Sequence, residues 1–329
     1  MMEQEFEIIE RGLLSEVNGE SDIIDDSSQE IEPTMRTRRA KSPKSSSASK
    51  VSPKVLNYLG IVKVTTSFQT RNSKAWLLQS LLNELGYSLK PDGFFGQLTE
   101  AQVKKFQADN GLVADGIVGQ ATWSELIYQG RCRISNSKIG DKDYEDAAKV
   151  LGVEVAVVKA VKDVEAGGAG YVFSNHPTIL FESHVFWREL KKRGIVPSKY
   201  RDNEILNQTR KKGKAYYVGG VGEYARLLKA RLINTDAANA SASWGLFQIM
   251  GNNYKACGCR TIDAFVKLMS KGEREQLMLF MEFIKNNDGM LSCLKKKDWE
   301  GFACRYNGSD YKDNNYHIKL QNAYNKYKR

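Results

Sequence analysis

Apolar positions recur at helical spacing along most of the chain and almost never in strict alternation. The stretch "EVAVVKAVKDVE" (154–165) has apolar residues at helical and flanking positions. "WLLQSLLNELGY" (76–87), "VGEYARLLKARLI" (221–233) and "EREQLMLFMEFIKNN" (273–287) carry amphipathic stripes, and "NNYHIKLQNAYNKYK" (314–328) is helical as well. Strand signals are short and few, with a minor hairpin expected around "KKGKAYYVGG" (211–220). The first 54 residues have few large apolar side chains after Leu14 and clusters of Ser-Pro and Ser-Lys, which predicts a disordered tail and linker. The pattern therefore predicts a mainly α protein: a tail over 1–54, a small three-helix module over 74–130, and a larger α-helical domain over 140–329.

The module contains an internal repeat. "DGFFGQLTEAQ" begins at Asp92 and "DGIVGQATWSE" at Asp115, so D-G-x-x-G-Q-x-T recurs after 23 residues. Asp-Gly turns the chain, and Thr99 with Gln102, then Thr122 with Glu125, offers a capping box to start each following helix. Gly93, Gly96, Gly116 and Gly119 complete the two turns.

Charge and cysteine content narrow the classes. Residues 1–32 hold eleven acids against Arg11 alone, residues 33–54 hold seven basic residues and no acid, and the remainder carries a net +13. A globular part this basic favours a polyanionic partner, whether nucleic acid, glycan or lipid. The N-terminus lacks the basic and apolar regions of a secretory signal, and nothing resembles a membrane span. Five cysteines and three scattered histidines read as reduced thiols without metal-ligand spacing, so no metal or cofactor is expected.

"VEAGGAGY" (164–171) places Glu165 where an apolar helix gives way to glycines. Glycosidic cleavage needs a carboxylic acid in a partly desolvated pocket, where low dielectric keeps the proton on near neutral pH. A packed helix supplies rigidity, and glycines permit close approach of a sugar. "HPTILFESH" adds Glu182, "ANASASWGLFQIMG" adds Ser243, Gly245 and Gln248, and "DWEGFACRYNG" adds Tyr306 and Asn307. Gln248, Tyr306 and Asn307 are neutral groups suited to hydroxyls and amides of a sugar.

Two resemblances follow from these residues. The segment with the double D-G-x-x-G around "VKKFQADNGL" resembles the small peptidoglycan-binding domain of cell-wall hydrolases, with Asp92, Gly93, Gly96, Asp115, Gly116 and Gly119 as natural contact candidates. "VEAGGAGY", "ILFESH", "VGGVGEYARL", "SASWGLFQIMG", "MEFIKNN", "DWEGFACRYNG" and "IKLQNAY", in this order, resemble the N-acetylmuramidase domain of phage endolysins. The resemblance implies a lysozyme-like α-helical domain that cleaves the β-1,4 bond between N-acetylmuramic acid and N-acetylglucosamine. It makes Glu165 the catalytic acid and Glu182 the second carboxylate, with Ser243, Gly245, Gln248, Tyr306 and Asn307 as substrate-binding residues. Ala166, Asn175 and Ser183 depart from the family pattern and bear on subsite detail.

"GLFQIM" is also similar to lytic transglycosylases, in which the muramic acid's own 6-hydroxyl attacks; the spacing of the two carboxylates bears on inverting or retaining chemistry. Further alternatives are a non-catalytic wall-binding virion protein and a nucleic-acid-binding protein resting on the basic linker. The expected partner is bacterial peptidoglycan, with no specific nucleic acid. A monomer is expected, made in the host cytoplasm, released to the wall by a separate membrane-opening protein, and able to associate with the virion.

Overall fold

The computed structural model describes residues 51–64, 71–134, 138–166, 168–200, 202–209, 217–312 and 315–328. Residues 1–50 of the expected tail, and 211–216 of the expected hairpin, lie outside the described residues. The residues from Val51 onward form one compact unit.

A helix that the apolar pattern does not announce, α1 (Pro53–Leu59), begins inside the expected linker. Proline suits its first turn because that N–H has no helical partner to lose. Val55 and Leu59 are buried, and the chain then leaves through Gly60 at φ +63°.

Three helices follow: α2 (Ser73–Glu84), α3 (Gln97–Asp109) and α4 (Gln120–Cys132). The expected capping boxes do not form. Extended glycines, Gly96 and Gly119, stand at the N-caps, and Thr99 and Thr122 are buried within the first turns. Their hydroxyls instead accept from buried glutamines, Gln79 Nε2 at 3.0 Å and Gln107 Nε2 at 3.2 Å. Each glutamine is the hub of one turn. Gln79 Nε2 also donates to Asp92 Oδ1 and the Phe94 carbonyl, and Gln79 Oε1 accepts from the Asp92 and Gly93 N–H groups. Gln107 serves Asp115, Ile117 and Gly116 in the same way. Gly93 and Gly116 sit at φ +82° and +77°, where a side chain would strain the turn.

The larger part opens with α5 (Asp141–Leu151) and α6 (Val155–Glu165). Short strands β1 (Tyr171–Phe173) and β2 (His176–Pro177) pair as a hairpin, and β3 (Ile179–Phe181) leads into α7 (Ser183–Lys192). After α8 (Gly222–Arg231) and α9 (Thr235–Ala240), β4 (Ala242–Trp244) and β5 (Ile249–Met250) return to β3. The sheet order is β3-β4-β5, all antiparallel, with Leu180 opposite Ser243 and Ser243 opposite Met250. Helices α10 (Ile262–Lys271), α11 (Glu273–Lys285), α12 (Met290–Lys296), α13 (Trp299–Asn307) and α14 (Tyr316–Tyr327) complete the fold. The apolar face of α6, with Val157, Ala160 and Val161 buried, packs on α5 and α14. The Tyr324 hydroxyl of α14 donates to Glu154 at 2.7 Å, fixing the start of α6.

The module packs against the β1–β2 hairpin. Glu84 of α2 accepts the Asn175 N–H at 3.1 Å and lies 2.8 Å from His176 Nδ1. Gly130 of α4 lies so close to the Phe173 ring that an added Cβ would stand 1.9 Å from it. Gly130→Leu is therefore expected to destabilise the protein by about 1–3 kcal/mol through overpacking, read as a fall in thermal unfolding temperature.

Candidate active site

The sheet sorts its side chains by alternation. Ile179, Phe181, Ala242, Trp244 and Ile249 are buried on one face. Leu180, Ser243 and Met250 share the other face, and Glu182 is the first residue past β3, at the start of α7. The sheet is absent from the apolar pattern because its strands are two or three residues long.

Glu182 is held by its neighbours in sequence. Glu223 of α8 is fully buried; its Oε2 accepts the Phe181 N–H at 3.1 Å and Arg226 Nη1 at 2.8 Å. Arg226, equally buried, donates to the Phe181 carbonyl at 3.1 Å and to Ser183 Oγ at 3.0 Å. The Glu182 N–H donates to Ser241 O at 2.9 Å. Thus the residues on both sides of Glu182 are clamped by one buried ion pair. At its carboxylate, Oε1 accepts from the Tyr217 hydroxyl at 2.6 Å, and Oε2 lies 3.4 Å from His184 Nδ1. Sequence reasoning gave no role to Glu223 and Arg226. The available signal was "EYAR", two opposite charges at i,i+3 in the first turns of α8.

Glu165 is the last residue of α6. Burial raises its pKa to about 7, against the opposing pull of a hydrogen bond from Asn307 and of the Lys319 charge. Asn307 Nδ2 donates to Glu165 Oε1 at 3.0 Å, and Oε2 has no hydrogen-bond partner among the described residues. Desolvation dominates, so the carboxyl keeps its proton near neutrality. The neighbouring Tyr306 hydroxyl is held protonated well above its usual range, first by burial and then by Glu165's negative charge.

Tyr306 and Asn307 end α13 and join the two halves of the site. While Asn307 meets Glu165, the Tyr306 hydroxyl donates to the Phe247 carbonyl at 2.6 Å. The Tyr306 ring is fixed by stacking on Phe302 and by edge contacts to Phe280 and Phe283. The loop between β4 and β5 is tied in turn to α11. The Leu246 N–H donates to Gln276 Oε1 at 2.7 Å, and Gln276 Nε2 donates to Met269 O at 2.8 Å. Gly245, at φ +70°, has no room for a side chain, because a Cβ would lie 2.7 Å from Gln276.

Gln248 and Ser243 also hydrogen-bond within the protein. Gln248 Oε1 accepts from Ser243 Oγ at 2.8 Å, and its Nε2 donates to Thr178 O at 3.1 Å and Gly245 O at 2.8 Å. Gln248 also adopts φ +51°, an uncommon conformation for a residue with a side chain. Its amide locks the loop to the segment between β2 and β3. Part of the glycine run is likewise structural: a Cβ on Gly170 would approach Glu273 Oε1 to 2.8 Å. In the module, Asp115 is held below its usual pKa chiefly by the Ile117 N–H, and Asp92 accepts from Phe94 N–H in the matching way. Asp92, Gly93, Gly96, Asp115, Gly116 and Gly119 thus all build their own turns.

All five cysteines are free. Among the described residues no group of three or more His, Cys, Asp or Glu could hold a metal ion, and no helix is long and apolar enough to cross a membrane.

A mainly helical fold with a half-buried glutamate at a helix end, its pKa raised to about 7, is that of a glycoside hydrolase of the lysozyme type. Comparison with known proteins agrees. Residues 154–328 match the N-acetylmuramidase family, and residues 73–126 match a peptidoglycan binding domain. The crystal structure of the Burkholderia AP3 phage endolysin is similar, with 38% identity and a TM-score of 0.55, covering 82% of this chain and 98% of that one. An uncharacterized protein in the bpoA1 3′ region of Kitasatospora aureofaciens is 53% identical over 51 residues, 15% of this chain; the match spans less than half, 42%, of that relative. The chain belongs to the N-acetylmuramidase family and carries a peptidoglycan-binding module ahead of its catalytic part.

Proposed function

We propose that this chain lyses its host by hydrolysing the β-1,4 bond between N-acetylmuramic acid and N-acetylglucosamine, with Glu165 as general acid. One observation carries the reading: a glutamate at a rigid helix end whose pKa is raised to about 7 by burial. Such a group is protonated at the pH where a glycosidic oxygen needs a proton to leave. Asn307 holds the carboxyl in place, and Tyr306 fixes Asn307's helix end against the Phe247 loop. Glu182, anchored by Tyr217 and by the Glu223–Arg226 pair, serves as the second carboxylate that stabilises the developing positive charge or activates water. The module and the basic surface concentrate the enzyme on its insoluble, anionic substrate. The same reading has the chain act as a monomer, made in the host cytoplasm and reaching the wall through a separate membrane-opening protein.

The test is release of reducing sugar ends from purified sacculi as a function of pH. Turnover should fall as pH rises through about 7, where Glu165 ionises. Asn307→Ala removes a hydrogen bond that favours the ionised form, so its alkaline limb should move to higher pH than that of the wild type. A limb that stays in place, or moves down, would contradict the assignment of the acid.

A further inference from the structure

Helix α1 precedes the wall-binding module in sequence, yet it packs on α8 of the catalytic part as well as on α4 of the module. Val55 and Leu59 are buried, and Tyr58 is half-buried. The helix meets the backbone segment 217–222, which leads into α8. Lys54 Nζ donates to the Tyr217 carbonyl. A Cβ on Gly220 would stand 3.9 Å from Val55 Cγ2, and one on Gly222 would stand 3.5 Å from Tyr58 Cδ1. Gly219 and Gly220 sit at φ +84° and +52°, so the segment's own backbone restrains it little. Its position is set by what holds it: α1, and Glu223, which accepts the Val218 and Gly219 N–H groups at 2.7 and 3.0 Å. The segment begins with Tyr217, whose hydroxyl holds Glu182 Oε1 at 2.6 Å.

A second path runs through Glu204. The Tyr58 hydroxyl donates to Glu204 Oε1, and Lys229 of α8 donates to Oε2 at 2.6 Å. The carbonyl of the same Glu204 accepts from Ser183 Oγ and from Arg226 Nη2, both at 3.1 Å. Ser183 directly follows Glu182, and Arg226 also donates to the carbonyl of Phe181, which directly precedes it. Burial, and then the bond to Glu204, holds the Tyr58 hydroxyl protonated far above its usual range, so it stays a donor across neutral pH. From the module, Lys74 in the first turn of α2 donates to the Tyr58 carbonyl and lies over its ring at 4.8 Å.

We propose that α1 is a brace of the active site, with Tyr58 a positioning residue that sets Glu182 through Glu204 and through the segment that carries Tyr217. Seven residues ahead of the binding module thus belong to the catalytic apparatus and act on turnover rather than on wall binding. The demand on them is tight, because a misplacement of about 1 Å at a reacting group costs on the order of 10²-fold in rate. The proposal rests on Glu182's being the second carboxylate of the reaction.

The test measures kcat and KM on purified sacculi for the full chain carrying Tyr58→Phe, Asn57→Ala or Glu182→Gln, well below the unfolding temperature of each. Sedimentation with sacculi is measured for the same variants in the Glu165→Gln background. Tyr58→Phe keeps the ring and deletes only the donor to Glu204; kcat should fall about tenfold, with KM and sedimentation unchanged. Asn57→Ala removes the acceptor of a 3.2 Å hydrogen bond from Gln120 of α4 and should leave kcat as in the wild type. Glu182→Gln should itself lower kcat, and adding Tyr58→Phe should lower it no further, because the two act in series. A wild-type kcat in Tyr58→Phe, an equal loss in Asn57→Ala, or a loss that adds in full to that of Glu182→Gln overturns the brace and leaves Glu182's role standing. Full turnover by Glu182→Gln overturns the reading of Glu182 and the brace with it.

Discussion

Glu165→Gln is expected to lower turnover on purified sacculi by about 10²–10⁴-fold, the usual worth of a positioned general acid, without weakening sedimentation with them. Glutamine keeps the shape and the Asn307 contact but has no proton to deliver. The same substitution should move stability the other way. A carboxyl whose pKa is raised from 4.5 to about 7 on folding binds more protons in the native state between those values. Stability is therefore full below the unfolded pKa, falls as pH rises toward 7, and stays lower above it. The loss amounts to about 3 kcal/mol at pH 8. Glu165→Gln carries no such penalty and should unfold at a higher temperature than the wild type at pH 8, with the gap closing near pH 4. Activity lost together with stability gained is the signature of a buried catalytic acid; a structural carboxylate would lose both.

The second large effect concerns the pair behind Glu182. Arg226→Met leaves the Glu223 carboxylate fully buried without its cation, although Phe181, Val218 and Gly219 N–H groups still donate to it. Removing one partner of such a pair costs about 3–5 kcal/mol, which for a domain of this size lowers the unfolding temperature by roughly 10 °C. Glu223→Gln should destabilise for the converse reason. The double variant Glu223→Gln/Arg226→Met should recover part of the stability, since neither charge is then left alone. It should not recover turnover, because Phe181 and Ser183 lose the clamp that sets Glu182 between them. Calorimetry and kcat measured on the three variants separate the two roles: recovery of both would reduce the pair to a stability element.

What the sequence disclosed and what it hid divide on physical lines. Glu165 was legible because local periodicity, an apolar run ending in glycines, marks a helix terminus. Both turns of the module were legible because Asp-Gly and the left-handed glycine after it are short-range signals. The polar hubs were not. Gln79, Gln107, Glu223 and Gln276 look like solvated helix positions in a linear reading, and they are buried. Several of their partners lie far along the chain, such as Phe181 for Glu223, 42 residues away, and Leu246 for Gln276, 30 away. The threonine capping boxes misled for the same reason, because a distant glutamine claims each hydroxyl. Gln248 and Ser243, expected to face the sugar, also bond to each other, and Gln248 ties the loop to Thr178, contacts that lie too far along the chain to read from spacing. Strands of two or three residues are too short to show alternation, so the sheet beside Glu182 could be found only in three dimensions.

The most direct test of the central claim is mass spectrometry of soluble fragments released from purified sacculi by the wild type and by Glu165→Gln, before and after borohydride reduction. Hydrolysis by a muramidase with Glu165 as its acid predicts muramic acid ends that gain two hydrogens on reduction, abundant with the wild type and missing with the variant. Fragments ending in 1,6-anhydro muramic acid, or equal release by the two proteins, would contradict it.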